Sequence, residues 1–476
     1  MTPRMHFLLF RLVSVLVLLC WTNACQQARN SEPTSGGGSK ASLSKDPYNV
    51  LFIAIDDLRP ELGCFGASHI LSPNLDAVAA TGIRFDRHYA QVPTCGASRY
   101  SMLTGRRPKT PRHYGNAAFA TFKGGLDDGP LPMPNAFRRS GYTTVCLGKI
   151  THTMDGLNAN GTQQIPEAWD RTPTEPGAWR ENKHLLHGYA KGRKREAGVS
   201  PILESLEVGD EDYPDGILAE QAIASLERLA SEKKPFFLAV GFFKPHLPFA
   251  APKKYWDLYD EAKIPLSPHP DKPTDLPKVN GWVQSGEVTG NYRGAGYEDR
   301  QWSEAERRRL RHGYFACVSY VDAQVGKLLD ALGRLKLTDD TIIVVWGDHG
   351  WHLGDQALFG KHTTFEAALR SALIVRVPGQ NQTGQVSHAL VESLDIYPTL
   401  AALCGIEYPA DLPGKSFVPT LLQPTKAHRD SARSYWSRGK RLAVSDRTAT
   451  ERTVTWTDRK TGKTLGVEHH DFSSDH

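Results

Sequence analysis

The chain has 476 residues, enough to bury one large core, or a large core and a small one. Hydrophobic residues make up 40% and charged residues 23%, near the globular average, which excludes general disorder and an integral membrane protein. A net charge of +5 is small for this length and the basic clusters at 191–195 and 307–311 are short, which argues against nucleic-acid binding. Each cluster reads as a solvated face, with steering of an anionic substrate as the second reading.

In chain order, Arg4 and His6 precede an apolar run at 7–21, interrupted by Arg11 and Ser14 and ending in Thr22-Asn23-Ala24-Cys25. This is the layout of a secretory signal over 1–25. The run falls short of a membrane span, which needs about 20 apolar residues. Export to the periplasm or to a membrane-anchored state is therefore expected. Ala24 before Cys25 resembles a bacterial lipoprotein cleavage site, in which the cysteine carries the lipid anchor. Residues 26–46 are rich in Ser, Gly and Lys, include Gly36-Gly37-Gly38, and read as a flexible tether. Of seven cysteines, Cys20 and Cys25 belong to the signal region. Cys64, Cys95, Cys146, Cys317 and Cys404 remain, an odd number that marks one special cysteine. Cys146, Cys317 and Cys404 lie in apolar runs and read as small buried hydrophobes.

Residues 48–55 (YNVLFIAI) form a nearly continuous apolar run, as expected of a strand covered on both faces of a parallel sheet. Ser72-Pro73 opens a helix to about Thr81, with Ser72 as cap and Gly82 as stop. The alternation recurs: a helix at 134–140 precedes a strand at 142–147, and one at 215–233 precedes a strand at 236–241. Phe236, Phe237, Phe242 and Phe243 read as packing residues. The longest helix is expected over 303–335, where Tyr314, Val318, Val321, Val325, Leu328 and Leu332 share one face. It leads to strands at 341–346 and 372–377 and a helix at 393–404 closed by Gly405. Residues 263–301, rich in Pro and Gly, form a long irregular stretch expected to shape a pocket. After about Gln423 short β-like pieces suggest a small antiparallel subdomain over 426–476, and the chain end soon after reads as a truncation.

An Asp-Asp pair and an Asp-His pair mark one edge of this sheet. Asp56-Asp57 directly follows the first strand, and ligands of open α/β sheets bind outside the carboxyl ends of strands. Alone such a pair is equally a turn or helix cap. Gly347-Asp348-His349-Gly350 follows another buried strand at the same edge, so the two strands deliver three carboxylates to a hard cation; His349 is the least secure ligand and is alternatively a contact to an anion. Cys95-Gly96-Ala97-Ser98-Arg99 opens a helix ending at Gly105, which places Cys95 at a helix end that favours anions.

Cys95-x-Ala97-x-Arg99 followed by Ser101-Met102-Leu103-Thr104-Gly105 resembles the maturation signature of the formylglycine-dependent (type I) sulfatases. Ala97 replaces the usual Pro, a variant of bacterial members. Asp56-Asp57-Leu58-Arg59-Pro60-Glu61-Leu62, Gly148-Lys149-Ile150-Thr151-His152, Lys244-Pro245-His246-Leu247-Pro248-Phe249 and Gly347-Asp348-His349-Gly350-Trp351-His352-Leu353-Gly354 extend the resemblance, which is closest to the iduronate-2-sulfatase-like branch. It implies an alkaline-phosphatase-like α/β sandwich with a mixed, mostly parallel sheet, a catalytic domain over 47–425, and hydrolysis of sulfate esters on a sulfated saccharide. By the same resemblance Asp56, Asp57, Asp348, His349 and residue 95 bind one calcium ion, Cys95 is converted to formylglycine by a maturation enzyme, and Arg99, Lys149, His152, His246 and Lys361 surround the sulfate. His152 is the expected base and His246 the expected acid. From position alone Lys149, His246 and Lys361 are equally turn or loop residues. Two alternatives stay open: a phosphate mono- or diester hydrolase of the same fold, and a surface protein that binds sulfated glycans without turnover, in which residue 95 remains a thiol.

Overall fold

In the computed structural model, residues 47–126, 130–282, 284–293 and 302–473 are described. The expected signal and tether lie outside them. The run at 48–55 forms β1 (Asn49–Ile55), buried from Val50 onward. Around it stand β2 (Ile83–Phe85), β3 (Thr143–Gly148), β4 (Phe236–Phe242), β5 (Thr341–Gly347), β6 (Leu373–Arg376) and β7 (Gln385–Ser387). Their spatial order is β7-β2-β6-β5-β1-β4-β3. All neighbours run parallel except at β6, which is antiparallel to both β2 and β5.

Because successive side chains of a strand point to opposite faces, β1 feeds two cores at once. Leu51, Ile53 and Ile55 pack with Leu218 and Leu226 of the helix at 214–232 and Val318 and Val325 of the helix at 304–334. Val50, Phe52 and Ala54 join Met102 and Leu103 of the helix at 95–104, Phe137 of the helix at 133–139 and Leu400 of the helix at 396–404 on the other face. Each large aliphatic side chain buried this way contributes roughly 1.5–3 kcal/mol. The helices are α1 (Pro73–Ala80), α2 (Cys95–Thr104), α3 (Met133–Arg139), α4 (Pro214–Glu232), α5 (Gly286–Asn291), α6 (Glu304–Arg334) and α7 (Ile396–Cys404). Among the described residues no helix is long and apolar enough to cross a membrane.

Local chemistry departs from expectation at three points. Ser72 does not cap α1: its hydroxyl donates to Asp76 Oδ1 (3.1 Å) and accepts from the Gly63 amide (3.0 Å). Arg311 is not on a solvated face but buried, donating to Leu353 O (3.1 Å) and Glu61 Oε1 (2.6 Å), because α6 lies against the Glu61 segment there. Cys404, unlike the fully buried Cys146 and Cys317, is half-buried at the end of α7.

The C-terminal subdomain is a four-stranded antiparallel meander of β8 (Ala432–Arg438), β9 (Arg441–Arg447), β10 (Glu451–Asp458) and β11 (Thr464–Asp471). Ala443, Val454 and Trp456 form its small core. It is tied to the larger sheet's side of the molecule by Tyr435 N donating to Gln91 O (2.7 Å), Ser434 Oγ donating to Ala90 O (2.6 Å) and Arg452 Nη1 donating to Glu366 Oε2 (2.9 Å).

Candidate active site

Two strand ends and one helix start converge. β1 and β5 lie in register as neighbours, Ile55 beside Gly347, so Asp56-Asp57 and Asp348-His349 leave the sheet side by side. At the next edge, Gly148 of β3 pairs with Gly241 of β4. Gly148 takes a φ of 68°, and a Cβ on Gly241 would stand 2.1 Å from Lys149 O. Glycine at both positions therefore lets the chain turn and brings Lys149 over the end of β4. α2 starts at Cys95, and its residue Arg99, one turn on, is fully buried.

Ligand atoms of Asp56, Asp57, Cys95 and His349 all lie within 4.8 Å of one another. His349 Nε2 is 3.4 Å from Cys95 Sγ, 3.6 Å from Asp57 Oδ1 and 3.7 Å from Asp348 Oδ2. Lys361 Nζ donates to Asp57 Oδ1 (2.7 Å) and Cys95 Sγ (3.1 Å). Arg99 Nε donates to Asp348 Oδ2 (2.9 Å) and Nη2 to Asp56 Oδ1 (3.2 Å), while Lys149 Nζ pairs with Asp56 Oδ2. Asp348 is thus placed at the border of the cluster, with Oδ1 accepting from the amide of Asp57 (3.0 Å).

The donor set fits a hard divalent ion. Asp57 Oδ2 is buried with no hydrogen-bond partner, an arrangement that is costly unless a cation meets it. The carboxylates of Asp56, Asp57 and Asp348 are matched by the fixed cations Arg99, Lys149 and Lys361. Adding a divalent cation and a doubly charged anion together preserves that balance. Sequence position alone left Lys149, His246 and Lys361 open as loop residues; all three are buried here, and Lys149 and Lys361 touch the cluster directly.

The electrostatics separate the titrating groups. Burial works against ionisation of Asp56, but Lys149, His246 and Arg99 hold its carboxyl well below the usual range. Burial, and then Asp56, push the Cys95 thiol up, so an unmodified cysteine stays protonated at neutral pH and is a poor nucleophile. Burial works against the charge on His246, yet Glu287 and the aspartates outweigh it and raise the imidazole to about 9, which makes it a proton donor at neutral pH. Burial, followed by Lys149, pulls His152 down to about 3 and leaves it neutral; its Nδ1 has no partner among the described residues. The two histidines thus differ in the direction required of an acid and a base.

Three nearby residues escaped the sequence reading. Glu287, on α5 within the irregular stretch, accepts from His246 Nε2 (2.9 Å) and lies 3.6 Å from Lys361 Nζ. Lys244 donates to Pro248 O (2.6 Å) and His246 O (3.1 Å), fixing the loop that carries His246. His187 lies with its ring centroid 5.2 Å from that of His246. Lys244 belongs to a motif quoted for the resemblance, but nothing local marked the other two.

A family model described as Sulfatase matches residues 48–406. The chain is 36% identical over 427 residues to iduronate 2-sulfatase of Homo sapiens, spanning 82% of this chain and 75% of that protein. A solved structure of a protein in complex with its substrate D-glucosamine-2-N,6-O-disulfate superimposes with a TM-score of 0.68 at 20% identity, covering 90% of this chain and 92% of the other. Phosphonate monoester hydrolase of Agrobacterium radiobacter gives a TM-score of 0.70 at 20% identity, covering 90% of each chain. At that identity the two structures speak for the fold alone, and they agree with the expected sandwich.

Proposed function

The chain belongs to the sulfatase family, and from that premise we propose that it hydrolyses sulfate esters of acidic glycans, with Cys95 oxidised to formylglycine and one calcium ion held by Asp56, Asp57, Asp348, His349 and residue 95. The observation that carries the reading is the position of Cys95 Sγ, 3.1 Å from Lys361 Nζ and 3.4 Å from His349 Nε2 at the start of α2. A bound divalent ion supplies Lewis acidity toward a sulfate oxygen. Formylglycine at position 95, as its hydrate, would supply one hydroxyl to take the sulfuryl group and a second through which sulfate would leave with the aldehyde restored.

The remaining work falls to side chains of this chain. Arg99, Lys149 and Lys361 neutralise charge on the sulfate oxygens as it develops, and a donor of this kind is commonly worth about 3 kcal/mol in barrier height. His246, protonated through Glu287, gives its proton to the ester oxygen as the S–O bond breaks. His152, neutral, takes a proton from the second hydroxyl of residue 95. The same reading has a maturation enzyme act on Cys95 before folding buries it, and has residues 1–25 direct export to a periplasmic or lipid-anchored location through Cys25.

Peptide mass spectrometry across residue 95 in protein from its native host is the direct test: an aldehyde is expected, and a thiol alone removes the mechanism. Cys95→Ala is expected to abolish aryl sulfate hydrolysis while the circular dichroism spectrum of the fold is preserved. A divalent ion that binds only the folded state raises stability by mass action, so chelation is expected to lower both activity and melting temperature, and added calcium to restore them. The second reading, favoured only by the fold shared with a phosphonate hydrolase, predicts faster cleavage of an aryl phosphate or phosphonate than of the aryl sulfate.

A further inference from the structure

Lys361 also lines a cavity of ≈ 210 Å³ that lies between residues 280–282 and 284–286, residues 358–365 and the C-terminal sheet. This is below the roughly 300–1,000 Å³ of pockets that enclose drug-sized ligands, and suits a single sugar unit. Among its described lining residues are Trp282, Trp436 and Trp456, the cations Lys361 and Arg438, and no Asp or Glu. His362 stacks on Trp436 with centroids 5.2 Å apart and planes at 11°, which fixes the indole's orientation.

Trp436 and Arg438 are two residues apart on β8 and therefore point to the same face of the sheet. Arg438 Nη1 donates to Gly281 O, and the guanidinium has no carboxylate partner among the described residues. Nearby carboxylates are turned to other lining residues, Glu468 to Trp456 and Asn280, and Asp57 to Lys361, so the half-buried guanidinium favours an anion that it can grip in two places. An aromatic plane beside it favours the apolar face of a pyranose ring.

We propose that Trp436 and Arg438 form a subsite for an acidic sugar unit, the ring packing on the indole face opposite His362 and its anionic group pairing with Arg438. This rests on the reading of the Cys95 centre as one that takes a sulfated glycan. The C-terminal sheet then sets substrate choice, since it supplies both residues while the larger sheet supplies the reacting groups. The anion is either a ring carboxylate or a second sulfate, two sources of one chemistry.

Equilibrium binding to the full, calcium-loaded protein separates these sources, with Cys95→Ala present in every protein compared so that no sulfate ester is turned over, an unsulfated uronate disaccharide as one probe and a carboxyl-reduced, O-sulfated disaccharide as the other. Arg438→Gln is expected to weaken whichever probe binds by about tenfold or more, Arg438→Lys less, and Trp436→Ala to weaken both. Hydrolysis of 4-nitrophenyl sulfate, which has no second anionic group, is expected to be unchanged in Arg438→Gln. Equal affinity of wild type and Arg438→Gln for both probes overturns the subsite, as does binding of neither probe to wild type, or an equal loss of aryl sulfate turnover in Arg438→Gln. Failure of the wild type to cleave the aryl sulfate instead counts against the sulfatase chemistry and leaves the binding result to decide the subsite.

Discussion

Asp155 shows how much the surroundings of one buried carboxyl set its behaviour. It sits three residues beyond His152 at a φ of 57°, with Oδ1 accepting from Gly148 N (2.9 Å) and Oδ2 from Asn182 Nδ2 (2.9 Å). Burial pushes its carboxyl up to about 7 from 3.8, against the pull of Thr174 and the Gly148 amide. The folded state therefore binds a proton that the unfolded state has already released, and stability falls as pH rises from about 4 to about 7. Above that window the penalty is complete, on the order of a few kcal/mol. Asp155→Asn removes it. Asn tolerates a left-handed φ, and its amide can donate to Asn182 Oδ1, which is buried without a partner, once the Asn182 amide is turned round. Denaturant melts are expected to show the variant gaining on wild type across that window and holding a constant lead above it. A lead that is the same at both ends of the window refutes the burial argument.

At the scale of elements, the glycine pair at the ends of β3 and β4 holds Lys149 in place. Gly241→Ala puts a methyl group against Lys149 O, and since this contact is backbone no rotamer relieves it. The expected outcome is a loss of roughly 1–3 kcal/mol in stability and a fall in kcat larger than any change in KM, because the lysine moves relative to the reacting sulfur. Unaltered kcat would show that Lys149 does not depend on this crossing. Elements whose burial is complete or whose period is long were legible in the sequence. β1 and β5 are uninterrupted apolar runs, and the 31-residue α6 keeps buried positions from Leu310 to Leu332. β2 and β7, at three residues each, carry no period to read, and the antiparallel direction of β6 depends on a connection whose path no pattern records. The same division holds in the site. Asp56, Asp57 and Asp348 stand out as the ends of two buried strands, whereas Cys95 and His349 are marked as ligands by the resemblance to sulfatases. Glu287 could not be found, because its meaning is a 2.9 Å contact with His246 from a segment without periodicity.

Over the whole molecule, the reacting groups and the proposed sugar contacts come from two sheets, so the join between the sheets becomes part of the function. Glu366 stands at that join: Oε1 accepts from Tyr89 Oη (2.7 Å), and Oε2 meets Arg452 Nη1 at 2.9 Å and Arg447 Nε at 3.5 Å. Both guanidiniums lie over the ring of Phe472, at 4.0 Å for Arg447 and 5.1 Å for Arg452. Glu366→Gln keeps the shape and one acceptor but leaves the buried Arg452 without its counter-charge, a loss of roughly 1–3 kcal/mol. Because that loss lies between the sheets, it is expected to loosen the C-terminal meander before the core. Hydrogen exchange should quicken across 432–471 while α6 keeps its protection. Affinity for an acidic disaccharide should fall, and aryl sulfate turnover should stay close to wild type. If exchange quickens equally in α6 and in the meander, the sheets unfold as one unit and the join has no separate part in holding the sugar.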